Sequence, residues 1–396
     1  MAAATASRKA GSSSFVPRAV FEVSQNITRS YFLGHHAGAL GTMRQSLSNV
    51  SLILECRDSR VPLTGANPLL EKALAGRDRI IVYTKSDLCA PQASNRWVDQ
   101  QKKLLSRFYN NGSLGGEQQQ QEEEEEDEYG AYGGMGATEM GSGMGTEILF
   151  TDTAKPRSIK MLLAAIKQRA AHAESLTGLR ALVVGMPNAG KSSLLNALRA
   201  EGMRLPKAAK TGANPGVTRK LSMPVRVMAE DAAAGVEGGA FVVDTPGVFV
   251  PYVSDVEAML KLALVGCVKD GIVPTETVAD YLLFRLNLRS PELYGELSAP
   301  TNDVAEFLDN VATRTGKLLK GGVPSRTLAA DWVLHQWRNG NLGRFGLDDV
   351  TEANLAALKA KALAGEEHIS LSQAKKREKA ARKERRAAQR KAMSES

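Results

Sequence analysis

The chain has 396 residues, 43% of them hydrophobic, and a formal net charge of +8, which leaves room for two or three domains with cores of their own. No run approaches the roughly 18 to 20 apolar residues that a membrane-spanning helix needs. Cys56, Cys89 and Cys267 are isolated and lack CxxC spacing, which speaks against a disulfide framework or a zinc site and fits a reducing interior.

The charge is unevenly spread. Residues 375–391 hold ten Lys/Arg and two Glu, and residues 117–128 hold eight acids and no bases, so the remainder is also +8. A basic body with a basic tail suits a polyanion, RNA first among them. A solvated helix or a nuclear-localisation patch would account for the tail alone.

In chain order, residues 1–21 carry Arg8, Lys9 and Arg18, several Ser and Ala, and no acid before Glu22. That is transit-peptide composition, although Pro17 interrupts an amphipathic helix and an ordinary leader reads the same way. From residue 22 strand and helix alternate. The runs 50–55 and 79–83 are short and apolar, of buried parallel-strand type, with a helix over 67–74 between them. Residues 109–145, a Gln/Glu run followed by Gly/Met/Tyr repeats, lack the apolar content to form a core and read as a disordered insertion at a loop tip. A strand at 147–150, a helix over 158–171, a strand at 181–184, a helix from Lys191 and strands at 223–228 and 240–243 come next. The expectation for 22–250 is an α/β domain, a mostly parallel sheet with helices on both faces. After Val248 only helical spacing remains, over 256–267, 275–286, 303–315 and 325–337. These give a small all-helical domain over 251–364, before the basic tail 365–396.

Five motifs stand at strand ends or in the loops after them. Gly185-Met186-Pro187-Asn188-Ala189-Gly190-Lys191-Ser192 has the strand before it and the helix after it that a phosphate loop requires. Backbone N–H groups at 188–190 and Ser193, with the helix dipole, face phosphate oxygens. Lys191 adds charge at the β/γ-phosphates and Ser192 supplies a Mg²⁺ ligand. Asp244-Thr245-Pro246-Gly247 would hold Mg²⁺ through Asp244 and sense the γ-phosphate at the Gly247 N–H. Alone it is also good turn chemistry, and the phosphate loop upstream decides the reading. Thr218, after Gly216-Val217, has the spacing of a switch threonine that closes onto Mg²⁺. Thr84-Lys85-Ser86-Asp87 offers a carboxylate at Asp87 for guanine N1–H and its amine, with Lys85 along the base. Thr153-Ala154-Lys155 suits a loop whose N–H meets guanine O6. A Ras-like GTPase has its phosphate loop first, whereas here the base-reading motif comes about a hundred residues earlier.

These motifs in this order resemble the circularly permuted GTPases of the YlqF / ribosome-biogenesis GTPase A family, over about residues 30–350. Tyr31-Phe32-Leu33-Gly34-His35-His36 is similar to that family's W-F-P-G-H-M. Arg57-Asp58-Ser59-Arg60-Val61-Pro62 is similar to its D-A-R-x-P, with Asn67-Pro68 following. Thr84 departs from the family's usual Asn. The resemblance implies a circularly permuted P-loop domain, GTP/GDP as ligand, hydrolysis coupled to assembly of the large ribosomal subunit, and an RNA-contacting helical domain. With the leader it implies a mitochondrial member on the matrix side, against nucleolar or cytosolic alternatives, working as a monomer. An association with the inner membrane cannot be read from the sequence. Val248 stands where Ras-like enzymes orient water with Gln, so slow intrinsic turnover and stimulation by the ribosomal particle are implied. His35 matches the proposed catalytic histidine, and His36 replaces the neighbouring Met. Asn188 matches the asparagine of K⁺-stimulated GTPases.

Overall fold

The computed structural model describes residues 15–23, 27, 34–89, 95–110, 145–173, 175–209, 212, 221–250, 253, 255–363 and 376. They belong to two compact units, one of 25–273 with 344–396 and one of 1–24 with 274–343. The helix at 256–264 and the segment after 343 therefore belong with the nucleotide motifs, whereas the change of sequence pattern at 250 assigns them to the helical part.

In the larger unit six strands make one sheet: β1 (Leu52–Asp58), β2 (Arg79–Thr84), β3 (Thr146–Phe150), β4 (Leu179–Gly185), β5 (Val225–Met228) and β6 (Ala240–Asp244). Their order is β3-β2-β1-β4-β6-β5, all pairings parallel except that of β5, an antiparallel edge strand with a register shift between Arg226 and Met228. The helices are α1 (Gly34–Ser46), α2 (Pro68–Ala73), α3 (Asn95–Asn110), α4 (Pro156–His172), α5 (Lys191–Met203) and α6 (Val256–Leu264). The smaller unit holds α7 (Thr275–Arg289), α8 (Val304–Thr315) and α9 (Arg326–Arg338), and the chain returns to the larger one for α10 (Glu352–Leu363).

The two-residue period of the strands sorts their side chains between the faces. Leu52, Leu54, Ile80, Val82, Ala181 and Val183 meet Leu162 and Ile166 of α4 and Leu194, Leu195 and Leu198 of α5. The alternate residues Ile53, Leu182 and Val184 meet Leu40 and Met43 of α1 and Leu70 of α2. Ile81, Tyr83 and Ile148 meet Leu105 and Tyr109 of α3 and Leu355 of α10. Both faces are covered, which is why these strands read as unbroken apolar runs. From β1 the chain builds outward through β2 to β3, whereas after β4 it crosses to the edge strand β5 and returns through β6 beside β4. The crevice between the C-terminal ends of β1 and β4 is thus the topological switch point where such sheets bind ligands.

Helix α3 runs through Asn110 and Tyr109 is buried. The low-complexity insertion therefore starts later than 109, and its body lies outside the described residues, as does nearly all of the basic tail. Tyr109 is held by charge: Arg57 donates to its hydroxyl and to Glu71, and to Glu55 at 2.7 Å, while Arg79 donates to Glu71 at 2.6 Å and Glu55 at 3.0 Å. Two guanidiniums and two carboxylates thus cancel inside the fold.

In the smaller unit, Asp303 and Ser325 cap α8 and α9 by accepting from Ala305 and Leu328 N–H. The N-terminal segment is part of this unit. Arg18 pairs with Asp280 at 2.6 Å and gives its N–H to Asn302, and Phe21 packs edge-on to Tyr281.

Removing one member of a buried charge network leaves its partners uncompensated. Glu71→Ala is expected to lower unfolding free energy by about 3 kcal/mol, read by urea denaturation. Burial raises the Glu71 carboxyl, but Arg57 and Arg79 outweigh it and its net shift is downward. A depressed folded value gives stability that is present above the ordinary glutamate range and lost as pH falls through the folded value. Acidification should therefore destabilise the wild type more than Glu71→Ala.

Candidate functional site

The phosphate loop leaves β4 at Gly185, whose φ is +141° and where a Cβ would lie 2.2 Å from the Cys56 carbonyl oxygen on β1. Only glycine permits β1 and β4 to meet there. Asn188 is left-handed at φ +55° and donates from Nδ2 to the Gly266 carbonyl at 2.8 Å, tying the loop to the turn after α6. Lys191 is 7% exposed, and its Nζ lies 2.8 Å from the Met186 carbonyl and 3.3 Å from that of Gly185. Burial draws its ammonium below the ordinary lysine range, opposed by the Asp244 carboxylate. Ser193 is exposed in the first turn of α5.

Ser192 Oγ donates to Asp244 Oδ2 at 2.5 Å. A hydroxyl and a carboxylate held side by side next to a phosphate loop are the hard-oxygen donors that Mg²⁺ takes together with phosphate and water. The pair therefore fits Mg²⁺. Asp244 is fixed by Ser222, which accepts from its N–H at 2.8 Å, and Thr245 Oγ1 donates to the Val183 carbonyl at 2.7 Å. Gly247 lies flat on the phosphate loop, where a Cβ would come within 2.6 Å of Pro187 N.

The base-side motif is bonded to the phosphate loop. Thr84 Oγ1 lies 2.8 Å from the Ala189 carbonyl and 3.2 Å from that of Arg57. A hydroxyl therefore forms this link at the position where the resemblance leads one to expect Asn. Lys85 is left-handed, with φ +56°, and its Nζ donates to the Asn188 carbonyl and to Asp58 Oδ2, each at 2.8 Å. Asp58 is 2% exposed and also accepts from Arg60 Nε at 2.9 Å. Burial pushes the Asp58 carboxyl up, but Arg60 and Lys85 overcome it and leave it well below the usual range.

Asp87 is half-buried beside the 151–155 loop, where Ser86 N–H donates to the Thr151 carbonyl at 3.1 Å. Burial first and the Asp152 carboxylate second raise its carboxyl above the ordinary aspartate value. Thr153, Ala154 and Lys155 are exposed, and the Ala154 N–H is given to Asp152 Oδ1 at 2.8 Å.

The structure brings together Thr84, Lys85, Asn188, Ala189, Gly190 and Lys191 across the switch-point crevice, and Ser192 with Asp244 at its phosphate end. Thr218 lies outside the described residues, as does the side chain of His35. Sequence reasoning assigned no role to Asp58, which orients Lys85, or to Asn67. The signal for Asp58 was a charged residue ending a buried strand at the switch point.

In the guanine-reading role that its motif implies, Asp87 must be ionised to accept both hydrogen bonds. Because its carboxyl is raised, GDP affinity should begin to fall on acidification at a higher pH than an ordinary aspartate would give. Asp152→Asn keeps an acceptor for Ala154 and removes the charge, so the acid limb should move to lower pH in a fluorescent-GDP titration. In the γ-phosphate-sensing role that its motif implies, Gly247→Ala, whose Cβ must displace Pro187, should weaken GTP-analogue binding more than GDP binding.

A model described as 50S ribosome-binding GTPase matches residues 180–311. Mitochondrial GTPase 1 of Schizosaccharomyces japonicus is 37% identical over 82% of this chain and 91% of its own length. Mitochondrial ribosome-associated GTPase 1 of Mus musculus is 30% identical over 84% of this chain and 93% of its own length. Ribosome biogenesis GTPase A of Priestia megaterium is 29% identical over 83% of this chain. A crystal structure of GNP-bound YlqF from T. maritima aligns with a TM-score of 0.44 at 20% identity, over 79% of this chain and 98% of that one. With a relative 37% identical over 91% of its own length and a sheet order that carries the motifs in rotated sequence, the chain belongs to the family of circularly permuted GTPases that includes mitochondrial GTPase 1.

Proposed function

We propose that this chain is a GTP-hydrolysing assembly factor for the large ribosomal subunit, acting in the mitochondrial matrix as a monomer. The observation that carries the reading is the bonding of base-side and phosphate-side loops into one crevice by Thr84 and Lys85. The relatives' names, "mitochondrial ribosome-associated GTPase" and "ribosome biogenesis GTPase", supply the setting. The basic tail supplies affinity for ribosomal RNA.

In this reading Asp87 reads guanine, and the 153–155 loop offers a backbone N–H to O6. Lys191 neutralises the β/γ-phosphates. Ser192 and Asp244, joined by Thr218, hold Mg²⁺, which supplies charge neutralisation on the phosphates. Gly247 senses the γ-phosphate. Val248 is 1% exposed within an apolar cluster that includes Leu40 and Met43 of α1, so it cannot orient water. Helix α1, which begins at Gly34 and carries His35 in its first turn, packs on that cluster. The match to the family's histidine supports His35 as the residue that acts on the attacking water. Asn188 adds a site for K⁺.

Single-turnover GTP hydrolysis is expected to accelerate when mitochondrial large subunits are added and to be lost in Lys191→Ala. Equal rates with and without subunits would instead favour a GTP-dependent RNA-binding scaffold. K⁺ in place of Na⁺ should raise the rate in the wild type and not in Asn188→Ala. A fusion lacking residues 1–21 should lose mitochondrial import, whereas nucleolar or cytosolic location of the full chain would move the function to those ribosomes.

A further inference from the structure

The segment after β6 is held at two posts. Upstream, Thr245 Oγ1 donates to the Val183 carbonyl at 2.7 Å. Downstream, both backbone groups of Val248 are used: its N–H donates to the Gly185 carbonyl at 3.1 Å, and its carbonyl accepts from Asn67 Nδ2 at 2.9 Å. Pro246 and Gly247 form the two-residue arch between the posts. Because the arch is so short, the direction of the Gly247 N–H is set by where the posts stand.

Asn67 is 1% exposed and its amide serves two elements at once. Oδ1 accepts from Leu69 N–H at 3.0 Å and caps α2, while Nδ2 holds Val248. Asn, Asp and Ser cap helices about equally well, so capping alone does not call for an amide. The NH₂ group is what reaches Val248. Beneath it the Val248 side chain is sunk in the cluster with Leu70 of α2, so the backbone bond and the packing act at the same place.

We propose that Asn67 is a positioning residue for γ-phosphate recognition, fixing Val248 as the downstream post of the arch that aims the Gly247 N–H. This rests on the reading of Gly247 as the γ-phosphate sensor. The GDP site is formed by other groups, namely the phosphate loop, Thr84, Lys85 and Asp87. Loss of the Asn67 donor should therefore be felt by the triphosphate and not by the diphosphate.

The test uses the full chain with Asn67→Ser and Asn67→Asp. Both keep an acceptor for Leu69 N–H, and neither places an amide donor on Val248. Dissociation constants for GDP and a non-hydrolysable GTP analogue are measured by fluorescence, beside melting temperature. The expected result is a ratio of analogue to GDP affinity at least about fivefold lower, the effect of one net hydrogen bond. GDP affinity should stay within about twofold of wild type, well below that change. An unchanged ratio, or equal weakening of both nucleotides, overturns the proposal and leaves Asn67 as a helix cap only. If one variant fails to fold, the other gives the same reading. Wild-type failure to hydrolyse GTP with large subunits would sink the enzymatic function, but the affinity ratio would still decide the role of Asn67.

Discussion

The nucleotide site depends on a junction between two loops that are distant in sequence. Thr84 reaches the Ala189 carbonyl and Lys85 reaches that of Asn188, so the loop proposed to read the base is bonded to the loop proposed to hold the phosphates. A loop carbonyl left unpaired in a buried crevice would cost about 1–3 kcal/mol. Both contacts therefore stabilise the loops and fix the distance between them. Asp58 extends the junction by bridging Lys85 and Arg60, and the return segment after 343 reaches it through Leu347 N–H on the Arg60 carbonyl at 2.8 Å.

The junction explains why permutation is tolerated. The site requires adjacency of β1 and β4 and of their neighbours in the sheet, and parallel pairing supplies that whichever strand comes first in the chain. Rotation instead changes which segment comes after the switch motif. Val248 leads within a few residues into α6, whose Lys261 pairs with Asp348 at 3.2 Å. Asp348 also accepts from the Leu63 and Thr64 N–H groups. The switch thus runs directly into an element anchored to the loop after β1.

Much of this was legible in the sequence. The strands at 52–58, 79–84 and 179–185 are apolar runs between polar ends, and the phosphate loop has strand and helix in the required places. Asn67 and Pro68 are cap and first-turn residues of a helix, as their chemistry suggests. Less legible were the contacts between the side chains of different elements. Glu55 and Arg57 within β1 are neutralised by Glu71 and Arg79 from other elements, a pairing that no local pattern specifies. The unit boundary was hidden because α6 has the same apolar spacing as α7, and burial partners rather than periodicity decide its membership. Thr84 stands where an amide was expected, and only its distance to Ala189 shows that a hydroxyl suffices for the link.

The partition of the chain has a consequence for its synthesis. Val350 and Leu355 close the apolar cluster around Ile81, Tyr83 and Ile148, and Asp348 ties down the loop after β1. These residues are made only after the whole of 274–343. On the translating ribosome the sheet that binds nucleotide thus waits for its last staples until nearly the entire chain has emerged, while the smaller unit has all of its residues sooner. A chain interrupted anywhere before residue 348 would lack Asp348, Val350 and Leu355 and leave the larger unit without these contacts.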